Sequence, residues 1–192
     1  MTAFVYKTQE EFGQFIRLHF ARQDIPEQTV VSGMLTLKIL RAALPRVMQF
    51  LRDDPVCRFT QLTDMTCVHY PDQQDCFHLI YHLLSPMLGR RLRIKLTTQE
   101  DVPVSSVTAI FANAAWYERE IREMFGVSFE GHPDLRRLLT YEETAFFPLR
   151  RTYPVQGTRR LIYDEAKGQC VYVSRSSDKD RPLGVELEPK KQ

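Results

Sequence analysis

The 192 residues, 43% of them hydrophobic, suffice for one globular domain plus an extension, and nothing in the composition calls for disorder. A formal charge of +2 is near balance and implies neither wholesale nucleic-acid binding nor the habit of an acidic protein. No apolar run approaches the roughly 20 residues that span a bilayer, and the N-terminus, Met1 in place and Glu10 and Glu11 near it, reads as neither secretory signal nor transit peptide, so a soluble chain that meets a membrane only through a partner is expected.

Thr8 followed by Glu11 is a capping-box pattern, and Phe12, Phe15, Ile16, His19 and Phe20 form a helical stripe running to about Gln23. Residues 34–40 alternate Leu35, Leu37 and Ile39 with Thr36 and Lys38, which predicts a strand with one dry face. Pro45 opens a helix to about Arg52. A hairpin spans 62–84; with residues 72–75 as its loop, Val68, Tyr70, Phe77, Leu79, Tyr81 and Leu83 share one face, while Cys67, His69, Cys76, His78 and His82 share the other. Residues 91–96 give a further strand. The sum is an α+β two-layer domain, its sheet mixed but largely antiparallel and flanked by helices.

The densest stretch is residues 113–139. Asn113 suits the cap of a helix with Tyr117, Ile121, Met124 and Phe125 on its apolar side, and Gly126 suits its left-handed stop. Glu118 with Arg122, and Arg119 with Glu123, are spaced four apart and are expected to pair across one turn. Pro133 suits the first turn of a second helix carrying Leu135, Leu138 and Leu139 beside Arg136 and Arg137. Beyond Leu139 the prolines Pro148, Pro154 and Pro182 and sparse periodicity predict an extended arm, with a short hairpin around 165–168. Residues 1–139 are thus read as the globular domain and 140–192 as an arm for packing on partners.

The string ERE..EMFG..F.GHPDLRRLL followed by PLRR.YP resembles the 30 kDa subunit family of NADH-quinone oxidoreductase, the respiratory complex I. LTDMTCVHYP, FHLIYHLLS, VPVSSV and RRLIYDEAKGQCVYV resemble the family's other blocks in order. Ala115, Arg122, Glu123 and His69 depart from its commonest residues, and Arg122 implies an altered local contact. The resemblance implies a cofactor-free member of the peripheral arm, packed on the quinone-site subunit and the adjacent iron-sulfur subunit, with FMN, iron-sulfur clusters and quinone held by the neighbours. It places the protein on the cytoplasmic side of a bacterial inner membrane or the matrix side of the mitochondrial one. The expected contact residues are Glu118, Arg119, Glu120, His132, Pro133, Asp134, Arg136, Arg137, Phe147, Pro148, Leu149, Arg150, Arg151, Tyr153 and Pro154. A related domain serves membrane-bound nickel-iron hydrogenases and formate hydrogenlyase; the downstream RRLIYDEAKGQCVYV block favours complex I.

Other chemistry is weaker. Cys67 and His69 with Cys76 and His78 would approach across the hairpin as a tetrahedral zinc set, but spacing of two along strands is unlike a zinc knuckle, and a polar sheet face or partner contact is the better reading. The four cysteines show no CxxC pair, which disfavours an iron-sulfur cluster and fits a reducing compartment. Glu118, Glu120 and Glu123 should be held ionised by neighbouring arginines rather than perform acid-base work. His132, before Pro133, is read as fixing a loop by hydrogen bonding. No nucleophile with a local base and no phosphate-binding glycine loop is visible. Six arginines against three carboxylates between Asp134 and Arg160, interleaved with aromatics, suit protein contact better than RNA.

Overall fold

The structure is a computed structural model that describes residues 6, 8–141, 144–155 and 157–174; Pro182 and the rest of the arm expected at 175–192 lie outside them. By contact the chain divides into two units, Met1–Thr152 and Tyr153–Gln192.

In the first unit the Thr8 hydroxyl accepts from the Glu11 N–H at 3.1 Å and the Glu11 carboxylate accepts from the Thr8 N–H at 3.3 Å, so the capping box starts α1 (Gln9–Leu18). The helix stops at Leu18, one turn earlier than the stripe implies. A strand absent from the sequence reading follows, β1 (Glu27–Val31), joined to β2 (Met34–Lys38) by Ser32 and Gly33, both at positive φ. Two left-handed residues match the twist of a tight hairpin. Leu44–Asp53 forms α2, with Pro45 in its first turn as expected.

The long hairpin is β3 (Gln61–His69) and β4 (Phe77–Ser85), followed by β5 (Arg90–Thr98). The five strands run in the order β1-β2-β5-β4-β3; β2 and β5 are parallel and the other neighbours antiparallel. The α+β class therefore holds, with five strands in place of four. The helices cover one face, where Leu35, Leu37, Ile94, Leu79, Tyr81 and Met48 are fully buried or nearly so. The other face carries polar and cationic side chains.

The hairpin register differs from the expected one. The loop spans the residues between His69 and Phe77, so His69 opposes Phe77 and Cys67 opposes Leu79. Cys67 and His69 thus lie on the core face, and Val68 and His78 lie on the open one. A slip of one residue exchanges the faces of a whole strand. The four-ligand zinc arrangement fails for that reason, and among the described residues no cluster of three or more metal-binding side chains occurs.

α3 (Ala114–Phe125) packs on β3 and ends at Gly126, φ 85°. Asn113 does not cap it: its side-chain amide donates to the Leu62 carbonyl at 2.7 Å and ties the helix start to β3 instead. β6 (Val104–Ser105) and β7 (Phe129–Glu130) pair in parallel beside it.

The second unit contains the expected hairpin, β8 (Arg159–Asp164) and β9 (Gln169–Ser174). Asp164 accepts the Ala166 and Lys167 N–H groups at 3.1 and 3.2 Å, and Gly168 supplies a positive φ. Leu161, Tyr163 and Tyr172 are exposed on it.

No helix among the described residues is long and apolar enough to cross a membrane.

Candidate functional site: a helix and the strap it holds

Residues 133–139 do not form a helix; the chain after α3 lies extended as a strap, described at 131–141 and 144–152. The reason is competition for its backbone. The Glu123 carboxylate, turned inward from α3, accepts the N–H groups of Leu138 at 2.6 Å, of Leu139 at 2.9 and 3.0 Å, and of Thr140. Arg119 donates to the carbonyls of Arg136 and Arg137 at 2.8 and 3.0 Å. A helix would have used those groups internally. Burial pushes the Glu123 carboxyl upward, but the Thr140 hydroxyl and the three backbone donors outweigh it and hold the pKa below the ordinary value.

The expected pairs 118/122 and 119/123 are therefore not made. Arg122 instead reaches the Ser128 hydroxyl, at 3.4 Å. Glu118 is fully buried: one oxygen accepts the Val107 N–H at 2.8 Å, and the other has no hydrogen-bond partner among the described residues. Burial raises its pKa to about 7, contrary to the expectation that arginines keep it ionised. The buried Tyr81 hydroxyl, likewise unbonded, is raised well above its usual range by burial and by the Glu118 charge.

His132 does fix the loop. Its Nδ1 accepts the Asp134 N–H at 3.0 Å, which leaves the proton on Nε2 to be donated to the Ala115 carbonyl at 3.1 Å. Nε2 also lies 4.0 Å from the Glu118 carboxylate. Asp134 holds Arg136 by a forked pair, 3.0 Å at Nε and 2.8 Å at Nη2, and that guanidinium keeps the Asp134 pKa far below the usual carboxylate range.

The far end of the strap is pinned by Arg150. Its Nε donates to the Phe125 carbonyl at 2.6 Å and its Nη1 to Glu100 at 2.5 Å, with the guanidinium over the Phe147 and Phe77 rings at 4.3 and 5.1 Å. The Leu149 N–H reaches the Met124 carbonyl at 3.2 Å and the Arg151 N–H reaches His69 Nδ1 at 3.2 Å. Gly126 makes the close approach possible, because a Cβ there would sit 2.6 Å from the Arg150 guanidinium and 2.7 Å from the Phe147 ring.

Of the expected contact residues, Glu118, Arg119, His132, Arg137 and Arg150 are engaged within the first unit. Glu120, Pro133, Arg136, Leu149 and Arg151 are exposed, while Asp134, Phe147 and Pro148 are partly covered. Leu139 and Tyr141 also stand exposed, although neither is among the expected contact residues. In the second unit Tyr153 is half-buried and Pro154 exposed. The outer side of the strap thus offers two arginines among leucines and an aromatic, the composition of a protein contact surface.

Comparison with known proteins gives the family. Residues 37–159 match the family described as respiratory-chain NADH dehydrogenase, 30 Kd subunit. An NADH-quinone oxidoreductase subunit from Caulobacter vibrioides is 44% identical over 144 residues, 75% of this chain and 73% of that protein. The protein of the same name from Rhodobacter capsulatus is 40% identical over 162 residues, 83% and 81% of the two chains. A chain in the structure of the membrane-bound sulfane sulfur reductase, an archaeal respiratory membrane complex, shares the fold with TM-score 0.62 at 21% identity, over 76% of this chain and 85% of that one. The match runs from the end of β2 to the start of β8 and includes α3 and its strap: the chain belongs to the 30 kDa subunit family of the respiratory-chain NADH dehydrogenase.

Proposed function

We propose that this chain is a structural, cofactor-free member of the peripheral arm of a proton-pumping NADH:quinone oxidoreductase. In this reading it packs on the quinone-site subunit and the adjacent iron-sulfur subunit, and FMN, iron-sulfur clusters and quinone belong to the neighbours. Its redox contribution is positional. Residues 1–139 supply the globular body and 140–192 continue as an arm over the partners, on the cytoplasmic side of a bacterial inner membrane or the matrix side of a mitochondrial one.

The observation that carries the reading is the strap. Its inward groups are fastened by Glu123, Arg119 and Arg150, which holds Arg136, Leu139, Leu149 and Arg151 outward on a fixed backbone. Outward arginines beside the exposed Tyr141 suit recognition of another polypeptide, since arginine and aromatic residues are enriched at protein contacts. The names of the relatives favour complex I over a hydrogenase or formate hydrogenlyase assembly. The test is co-purification in mild detergent from the native host. The chain should bring down further subunits with flavin and iron-sulfur absorbance and NADH-driven quinone reduction; a chain that elutes alone and colourless overturns the reading.

A further inference from the structure

The open face of the five-stranded sheet carries cations that the described residues do not pair. The strand register puts Lys38 of β2 directly beside Lys95 of β5, and Arg93 one row along between Thr36 and His82. Arg91 follows two residues further along β5. Like charges directly opposed on adjacent strands destabilise a sheet. The carboxylates nearby are Glu27 opposite Lys38, Asp64 opposite His82, and Asp75, which already accepts from Thr97 and Gln99. Among the described residues none of them lies within ion-pair distance of these four cations.

Burial, then Lys95 and Lys38, lower the His78 pKa; burial, then Arg93, lowers that of His82, so the four cations disfavour any further positive charge on the face. The cations border a shallow concavity of about 380 Å³ whose floor includes Ile80 and Val31. With about 4.8 Å between strands and 3.4 Å per residue, the gaps between the three nine-residue strands and the shorter gaps beside the two five-residue strands give a face of roughly 450 Å², a part of what one partner contributes to a specific interface. Cations interspersed with Ile, Val and Thr on a small flat face suit a peptide surface, where carboxylates and methyl groups alternate, better than the continuous charge of a phosphate polymer.

We infer that the open sheet face around Lys38 and Lys95 is a second docking surface, taking an acidic segment of a neighbouring polypeptide whose carboxylates lie between the two lysines. The neighbour is a subunit of the assembly proposed above, so the inference rests on that reading. The surface is distinct from the strap: the face is built from β1 to β5, and the strap lies beside α3.

Carbodiimide treatment of the detergent-solubilised assembly condenses a lysine amine with a carboxylate in contact with it. Peptide mapping should find Lys38 or Lys95 joined to an Asp or Glu of another polypeptide; linkage only to this chain's own carboxylates overturns the inference. Lys95→Glu supplies a readout that a merely structural role would move the other way. It replaces a repulsion with an attraction, so the free full-length chain should melt no lower than wild type, while the assembly should release it about tenfold more readily because a carboxylate now faces a carboxylate. Retention equal to wild type overturns the inference, and Lys95→Thr gives the same test if the glutamate variant fails to fold. A wild-type chain that enters no assembly defeats the parent reading instead, so the two failures are distinct.

Discussion

The Leu139 N–H sits between both oxygens of the Glu123 carboxylate, at 3.0 and 2.9 Å. One side chain of α3 thereby anchors the strap at the point where the sequence had suggested a helix. Glu123→Ala leaves three backbone donors unbonded, and the expected loss is about 3 kcal/mol, since each hydrogen bond to a charged group contributes about 1.5 kcal/mol or more before partial replacement by water. Denaturant unfolding measures the loss, and limited proteolysis should show new cleavage within 133–151. Because the folded pKa of Glu123 is depressed, its contribution is present above the unfolded value near 4.5 and fades as pH falls through the folded one. An unchanged midpoint would remove Glu123 from this role.

Glu118 acts in the opposite sense. Its folded pKa, about 7, lies above the ordinary 4.5, so the folded state holds the proton more tightly and stability declines as pH rises from 4.5 to 7. The charged form costs roughly 3 kcal/mol at pH 8, taking 1.4 kcal/mol per pKa unit. Glu118→Gln keeps the acceptor for the Val107 N–H and should flatten that decline, raising the melting temperature at pH 8 while changing it little at pH 5. Parallel curves for the two proteins across this range would contradict the assignment.

Two glycines separate strain from crowding. Gly126 and Gly131 both have φ near 80°, but only Gly126 faces occupied space. Gly131→Ala should cost about 1 kcal/mol from the left-handed backbone alone. Gly126→Ala adds displacement of Phe147 and Arg150, and about 3 kcal/mol in total is expected, in the range of an overpacked site. Equal losses for the two variants would show that the strap does not seat against α3 at that point.

Leu139 is 63% exposed and Leu149 54%, so replacing both by aspartate should leave the melting temperature of the free chain within a degree or two, as for surface changes. Incorporation into the assembly, followed by native electrophoresis of membranes, should fall sharply. Full incorporation of the double variant would show that the outer side of the strap is not a contact.

Much of the fold is legible because it rests on local rules. Thr8 and Glu11 announce a cap, Pro45 a helix start, and alternation in Leu35, Leu37 and Ile39 a strand, each read from residues a few positions apart. The misplaced pieces depend on distant groups. The faces of Cys67 and His69 depend on a loop longer than its polar core suggests. β1 is five residues with two-sided exposure, and only the Ser32-Gly33 turn gives it away. The Pro133 helix has its local signals, but they are overruled by a carboxylate 15 residues upstream. Glu118 reads as a surface charge because its spacing to Arg122 is right, and nothing nearby in sequence reveals that Val107 is its partner.

Fastening the strap from α3 also sets an order of events during synthesis. The ribosome releases Glu123 and Arg119 before the backbone they capture, 15 to 18 residues later, and Arg150 comes 25 residues after the Phe125 carbonyl that it closes. The receptor is thus complete before its ligand has emerged. A nascent chain halted between Gly126 and Arg150 exposes the end of α3 to water, and the first unit becomes whole only when its last dozen residues clear the exit tunnel.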